Sequence, residues 1–414
     1  MYFRTIDNYW NFRAADTKEY THCYHNYPAM MIPQIARKLL ADYAPEGKLE
    51  LVLDPYAGSG TTLVESSIRG LRSVGIDLNP LARFMSRVKN THYDSSEVNG
   101  ASHYLQDAVM NYTPSEVVNT DFSRISNYSY WYREDYLYKL SYLNQIISEL
   151  DLSVQDFFLL CLSETVREVS FTRNSEFKRY KMSEKQLEKF NPDVFCTFFS
   201  KVQRNSAGLE AFNKLGKKDL AAVYDFNTSK YIPAEILPDG SVDMVVTSPP
   251  YGDSHTTVAY GQFSRWANEW FDFENARNLD RILMGGTISN EKIFETVTVQ
   301  KELDAIKAAD EKRYHEVISF LNDYWNSIQN VARIVRKGGR VCYVVGNRRV
   351  KDIQINLDFF TAEMFEKCGF KHEITIMRDI PNKRMPSKNS PTNIAGEKAS
   401  TMTSEYIVIL TKVK

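Results

Sequence analysis

The sequence predicts an α/β fold: a doubly wound, mainly parallel sheet that ends in an antiparallel hairpin and is interrupted by a mainly helical insertion. Seven short apolar runs carry that expectation, at 49–54, 72–77, about 220–225, 242–247, 340–345, 371–378 and 405–412. Helical stretches separate all but the last two, which a loop joins, so a parallel sheet closed by a hairpin follows. Between the second and third runs lie about 120 residues, too many for a crossover and far beyond ordinary loop lengths.

The first run, Leu49-Glu50-Leu51-Val52-Leu53-Asp54, suits a buried parallel strand. It opens into Asp54-Pro55-Tyr56-Ala57-Gly58-Ser59-Gly60-Thr61-Thr62. Gly58 and Gly60 let the backbone bend sharply and a ligand approach with no Cβ in the way. Residues 62–69 read as the following helix, with Gly70 as its stop. The second run, Arg72-Ser73-Val74-Gly75-Ile76-Asp77, ends in a carboxylate about twenty residues after the glycines, where a Rossmann-like unit accepts hydrogen bonds from ribose hydroxyls. A third glycine and a P-loop lysine are both missing, so dinucleotide and ATP readings weaken. The rival reading is a purely structural turn.

Within the insertion, residues 137–150 and 154–166 have the apolar spacing of helices. From 165 to 218 there are twelve Lys/Arg against six Asp/Glu, and Arg167, Arg173, Lys178, Arg179 and Lys181 interleave with Phe171, Phe177 and Tyr180. Such a segment can track phosphates and read base edges, with Arg173, Lys178 and Arg179 as the DNA contacts. A helical cap with solvated charges is the alternative.

After the insertion, Leu220-Ala221-Ala222-Val223-Tyr224-Asp225 ends in an acid that either meets a cofactor's adenine or faces solvent. The run at 242–247 ends in Ser248-Pro249-Pro250-Tyr251. Two prolines fix φ and cannot donate to a ladder, so the strand stops and the Ser248 and Pro249 carbonyls can face a ligand. A hydroxyl on one side and an aromatic ring on the other complete a slot for a flat polar ring. Taken alone, the tetrad reads equally as an ordinary proline-ended strand. Asp253, Ser254, His255 and Tyr260 follow, in a loop that glycines could make mobile and that could fold over the bound ring. Residues 295–316 read as a charged helix with a solvated face. Arg378, Lys383, Arg384 and Lys388 read as a basic loop punctuated by Pro381 and Pro386, suited to phosphate or a simple connector.

These motifs resemble those of the amino-directed DNA methyltransferases that use S-adenosylmethionine. The stretch from Asp54 to Gly60 is similar to their D-P-F-x-G-S-G segment, with Tyr56 where phenylalanine is usual. Gly75-Ile76-Asp77-Leu78-Asn79-Pro80 is similar to their second cofactor segment, and Thr247-Ser248-Pro249-Pro250-Tyr251 to their catalytic motif. His25-Asn26-Tyr27-Pro28-Ala29-Met30 resembles a Y-P-A-K-F segment, with Met30 replacing the lysine, and Arg336-Lys337-Gly338-Gly339-Arg340 before 341–347 resembles the family's later turn and fifth strand. The likeness covers roughly residues 20–95 and 220–414. It implies a Rossmann-like methyltransferase sheet with a cofactor-binding first part (1–95), a target-recognising helical insertion (96–218) and a catalytic second part (219–414). It also implies Ser248, Pro249, Pro250 and Tyr251 as the catalytic set. The implied cofactor contacts are Tyr27, Pro28, Asp54, Tyr56, Ala57, Gly58, Ser59, Gly60, Thr61, Asp77, Leu78, Asn79 and Asp225, and the implied DNA contacts include Lys383 and Arg384.

In that family S-P-P-Y usually accompanies N4-cytosine, and D-P-P-Y or N-P-P-Y more often N6-adenine. The resemblance therefore implies N4-cytosine methylation of double-stranded DNA, with a cognate restriction endonuclease as partner where the enzyme protects against one. N6-adenine in DNA and an exocyclic amine in RNA are the rival acceptors. The short N-terminal extension disfavours RNA, and a DNA-binding module with a vestigial pocket is the non-enzymatic rival. Methylation at cytosine C5 would need a cysteine nucleophile, typically just after a proline, and no Pro-Cys pair occurs. An exocyclic amine instead needs acceptors for its N–H groups, which Ser248 Oγ and the Pro249 carbonyl can supply, and an aromatic platform such as Tyr251.

Composition is compatible with this reading without suggesting it. The 414 residues carry a formal net charge of −1, so DNA affinity must come from a local basic surface. The five cysteines, Cys23, Cys161, Cys196, Cys342 and Cys368, form no C-x-x-C and no His/Cys cluster, which points away from metal and disulfides and toward a cytoplasmic setting. No signal-peptide core and no eighteen-residue apolar run is present, so no membrane association is expected.

Overall fold

The computed structural model describes residues 2–174, 176–253, 257–380 and 404–414, with the backbone of 388–389 and 399–400. Side-chain alternation decides how its sheet is covered. Val52, Met244, Val246, Cys342, Val344, Ile407 and Ile409 share one apolar face. Their neighbours Leu53, Val245, Val341, Tyr343, Val345 and Val408 pack on the other. Successive strand residues point to opposite faces, so a sheet apolar on both needs helices on both.

Eight strands form that sheet: β1 (Arg4–Ile6), β2 (Leu51–Asp54), β3 (Arg72–Ile76), β4 (Ala221–Tyr224), β5 (Val242–Thr247), β6 (Val335–Val345), β7 (Phe370–Asp379) and β8 (Ser404–Lys412). Their spatial order is β1-β7-β8-β6-β5-β2-β3-β4. Neighbours from β4 to β6 are parallel, and β8 runs antiparallel to both β6 and β7. The doubly wound sheet with its terminal hairpin is thus present, and each of the seven expected runs contributes a strand.

Two features differ from the expected strands. The stretch 336–340, read as a turn, is absorbed into β6, where the register slips so that Val242 pairs with Val335 and Met244 with Arg340. Gly338 at φ 75° accommodates this bulge without the strand leaving the sheet. The strand β1 pairs in parallel with β7 through only three residues, too few for a periodic signal. Arg4 is anchored there by a 2.7 Å ion pair to the buried Asp358.

Helices α1 (Pro33–Asp42), α2 (Thr61–Ile68) and α3 (Pro80–Asn90) belong to the first half. The insertion folds as α4 (Ser95–Met110), α5 (Glu134–Ser148), α6 (Leu152–Glu168) and α7 (Val194–Asn213). Beyond it come α8 (Tyr260–Trp270), α9 (Gln300–Ala309), α10 (Glu311–Ile334) and α11 (Leu357–Lys367). Ile35, Leu39 and Leu40 of α1 cover the first sheet face, and Ile328, Val331 and Phe360 of α10 and α11 the second. Phe157, Phe158, Leu162 and Val166 of α6 form a third core with Phe198 and Trp266, so the insertion packs against α3 and α8. Asp151 and Asp193 cap α6 and α7, accepting from the backbone N–H of Ser153 and Cys196. The charged stretch 295–316 is not solvated all round, because Val299, Leu303 and Ile306 are buried. Among the described residues no helix is long and apolar enough to cross a membrane.

Candidate active site

The strand order reverses between β2 and β5, and a doubly wound sheet opens a crevice at the carboxyl ends of such a pair. Both sequence motifs leave the sheet there. Asp54, buried at the end of β2, accepts from Thr247 Oγ1 at 2.5 Å and from the Tyr56 N–H at 3.2 Å. Burial raises its pKa to about 6, against the pull of those hydrogen bonds. Burial outweighs the hydrogen bonds, so this carboxylate ties the two motifs together at an electrostatic cost.

The glycine turn is sewn to the end of β3. The Ala57 N–H donates to the Ile76 carbonyl at 2.9 Å and the Gly60 N–H to the Ala57 carbonyl at 2.7 Å. Asp77 accepts from the Gly58 N–H at 2.9 Å and from the Asn79 N–H at 2.8 Å. Burial raises the Asp77 pKa, and the two backbone donors oppose it. Asp77 therefore shapes the turn as well as facing the crevice. Gly58 and Gly60 both have positive φ, 50° and 79°, but they serve different ends. A Cβ at Gly58 would meet nothing nearer than the Tyr27 ring at 3.6 Å, whereas one at Gly60 would lie 2.9 Å from the Ser86 Cα. Gly60 is thus a packing residue against α3.

The crevice encloses about 960 Å³ including its mouth. Of the expected cofactor residues, Tyr27, Pro28, Asp54, Tyr56, Ala57, Gly58, Ser59, Thr61, Asp77, Leu78 and Asn79 line it, with Ser248 and Pro250 from the tetrad. Beside it lies a smaller cavity of about 240 Å³, lined by Pro249, Tyr251, Thr257 and Val258. Ala29, Ser248 and Tyr260 line both, so the tetrad stands on the shared wall. Tyr27 is fixed by a 2.9 Å hydrogen bond from Asn79 Nδ2 and by the Tyr260 ring, 5.7 Å away between centroids.

Several placements correct the sequence reading. Gly60 does not line the crevice, because its missing Cβ makes room for α3. Asp225 is exposed and also absent from the lining, which passes instead to Phe226, Asn227 and Thr228. The strand β4 ends at Tyr224, whose ring stacks on that of Phe226 at 5.0 Å, and Phe226 takes the place on the wall. Arg378 is not in a basic loop. It is a buried residue of β7, ion-paired with Glu405 and donating through Nε to the Trp10 carbonyl at 2.7 Å. Arg173 is exposed and Lys178 half-buried. Arg179 turns inward, its guanidinium 4.9 Å from the Trp266 ring centroid, and burial lowers its pKa. Lys383, Arg384, Ser254 and His255, together with the Lys388 side chain, lie outside the described residues.

Sequence reasoning missed two kinds of residue. Leu283 and Met284 line the crevice from a connection that carries no motif. Glu164 of α6 holds the segment before Tyr27, accepting from the Asn26 N–H at 3.0 Å and from Arg204 Nη2 at 2.7 Å. Burial would raise the Glu164 pKa, but the charges of His25, Arg204 and Lys201 outweigh it and hold the pKa at about 2. The insertion thus buttresses one wall of the crevice. Among the described residues no cluster of three or more His, Cys, Asp or Glu side chains could hold a metal.

Sequence comparison with known proteins agrees with the geometry. Residues 3–83 match a family described as DNA methylase. The chain is 38% identical to the type II methyltransferase M.MvaI of Kocuria varians, over 98% of this chain and 94% of that one. It is 22% identical to the type II methyltransferase M.BsoBI of Geobacillus stearothermophilus, over 86% and 80% of the two chains. The solved rRNA methyltransferase aviRa of Streptomyces viridochromogenes aligns over 96% of this chain and 90% of its own, at 10% identity and a TM-score of 0.35. The chain belongs to the type II, S-adenosylmethionine-dependent DNA methyltransferases of restriction–modification systems.

Proposed function

We propose that the enzyme methylates the exocyclic N4 of cytosine in double-stranded DNA, at a target sequence whose modification protects it from a cognate endonuclease. The observation that carries this reading is the position of Ser248 on the wall common to the two cavities. The larger cavity suits an elongated cofactor: it offers the backbone turn at 57–59, the Asp77 carboxylate, and Phe226 with Tyr224 stacked behind it. S-adenosylmethionine, when bound, supplies an electrophilic methyl group. Tyr27, Pro28, Asp77 and Asn79 would hold it, and the smaller cavity would receive the base.

Each residue of the tetrad then has a task. The cytosine amine is a poor nucleophile because its lone pair is delocalised into the ring. Ser248 Oγ and the Pro249 carbonyl accept its N–H bonds and draw the nitrogen toward tetrahedral geometry. The two prolines hold those acceptors in one rigid arrangement, which is how positioning lowers a barrier without acid–base chemistry. Tyr251 stacks on the extruded base and offsets part of its unstacking, about 1–3 kcal/mol. Residues 1–95 and 219–414 together form the methyl-transfer unit, and 96–218 reads the target, with Arg173 and Lys178 toward the phosphates.

Digesting modified DNA to nucleosides and weighing the methylated product tests the base assignment. N4-methylcytosine is expected; N6-methyladenine as the sole product would overturn it. Ser248→Ala is expected to lower kcat with little change in cofactor affinity, since the hydroxyl matters most as the nitrogen pyramidalises.

A further inference from the structure

Ser248 Oγ has a defined neighbour. It lies 3.0 Å from the Tyr251 hydroxyl, which lies 3.2 Å from Glu405 Oε1 on β8. The other carboxylate oxygen of Glu405 is ion-paired with Arg378. Arg378 is 4% exposed, and its remaining donors reach the Trp10 carbonyl at 2.7 Å and the Asn11 carbonyl at 3.4 Å. The tetrad is therefore the outer end of a polar chain that begins at the N-terminal segment and crosses β7 and β8.

The chemistry of that chain gives it a direction. A carboxylate paired with a guanidinium only accepts hydrogen bonds, and a phenol has one proton to donate. Burial, with the adjacent Glu405 charge adding to it, raises the Tyr251 pKa well above its ordinary value, so the phenol keeps its proton. That proton points at Glu405. The Ser248–Tyr251 bond must then run the other way, with the serine hydroxyl donating to the phenol oxygen. Ser248, on the wall that both cavities share, then has its proton engaged and its lone pairs to offer.

We propose that Glu405, held by Arg378, is a positioning residue that fixes Ser248 as a hydrogen-bond acceptor toward the target amine. This rests on the reading of Ser248 as an acceptor given above and assigns what orients it. A serine free to rotate would spend part of its time presenting its proton to the amine, donor against donor. With the polarity set from β8, the hydroxyl is pre-organised before the base arrives. The arrangement also gives the terminal hairpin a role in the reaction, since β8 carries Glu405 and β7 carries Arg378.

The experiment is a double-mutant cycle on the full chain, reading kcat, KM for DNA and cofactor affinity by calorimetry. Tyr251→Phe keeps the ring and removes the link. Glu405→Gln places an amide that can donate to the phenol and reverse the chain. Each is expected to lower kcat about tenfold, the scale of one hydrogen bond, with cofactor affinity and KM within about twofold. The double variant should be no slower than Tyr251→Phe, because Glu405 acts only through the phenol. Losses that multiply would show that Glu405 acts through the fold and overturn the proposal. Wild-type kcat in Tyr251→Phe would overturn it too, and that arm stands even if Glu405→Gln fails to fold. Ser248→Ala separates the two readings: wild-type turnover there removes the acceptor role itself, whereas slow Ser248→Ala beside fast Tyr251→Phe removes only the relay.

Discussion

Around the carboxyl ends of β2, β3 and β5, residues picked out by sequence pattern converge on one crevice, whereas in residues 165–218 the basic residues scatter between surface and interior. Eleven of the thirteen expected cofactor residues line the same cavity. Of the interleaved basic residues, Arg173 is exposed, Arg167 is 7% exposed with its guanidinium over Phe263, and Arg179 lies against Trp266. The difference teaches what kind of signal travels from sequence to site. Glycine and proline act through the backbone, so their consequence is local. An arginine's guanidinium sits at the end of a long flexible stem, and which way it turns is decided by packing from elsewhere in the chain.

The largest test of this contrast is Gly60→Val. A β-branched residue at φ 79° is strained, and its Cβ would start 2.9 Å from the Ser86 Cα. Strain and overpacking together should cost about 3–6 kcal/mol, read as a collapse of the melting temperature. Gly58→Ala meets nothing nearer than the Tyr27 ring at 3.6 Å and should cost about 1–2 kcal/mol. Equal losses at the two glycines would erase the distinction between a packing and a turn residue.

Two buried carboxylates sharpen the comparison through pH. Asp54 has its pKa raised from 3.8 to about 6 by burial. The folded state then holds the proton longer than the unfolded one, so stability falls as pH rises from about 4 to about 6, by on the order of 3 kcal/mol at most. Glu164 in the insertion has its pKa lowered from 4.5 to about 2. Its contribution is fully present above 4.5 and lost as pH falls toward 2; with Arg204 partly exposed, about 1–2 kcal/mol is expected. Asp54→Asn should flatten the first window and Glu164→Gln the second, in denaturant unfolding at stepped pH. A Glu164→Gln protein as stable as wild type at pH 7 would mean the cation cluster does not hold the Asn26 segment.

Much of the molecule was legible beforehand, for physical reasons that differ by region. The strands were visible because a sheet buried on both faces needs continuous apolar runs, as in Val242-Asp243-Met244-Val245-Val246-Thr247. The tetrad was visible because two prolines stop a strand whatever surrounds them. Three residues of β1 left no pattern, and its place beside β7 comes from pairing with residues far away in the chain, Arg4 with Thr375. Arg378 and Glu405 were equally hidden: only the pairing of β7 with β8 brings them together and turns an apparent basic-loop residue into the buried end of the tetrad's chain. Leu283 and Met284 reach the crevice from a connection whose course tertiary packing alone decides.

A smaller effect separates Arg173 from Arg179 in the insertion. Arg173→Ala should flatten the salt dependence of DNA binding by about one counterion while leaving the melting temperature unchanged. Arg179→Ala should do the reverse, losing the contact with Trp266, about 0.5–2 kcal/mol. An unaltered salt slope for Arg173→Ala would move the phosphate-tracking surface out of this segment.

The smallest expected effect lies back at the crevice, at the residue that the sequence leaves between the cofactor's adenine and solvent. Asp225 is exposed, and Phe226 lines the wall beside it. Its substitution should behave as an ordinary surface change. Asp225→Ala is expected to leave cofactor affinity within about 0.5 kcal/mol, the range for exposed positions without partners. Phe226→Ala removes the ring that faces the crevice and leaves Tyr224 unstacked, so it should weaken cofactor binding by about 1–3 kcal/mol. Calorimetric titration of both variants decides between them. If Asp225→Ala were the weaker binder, the adenine would be held by the acid, and the stacked pair of Tyr224 and Phe226 would not be its wall.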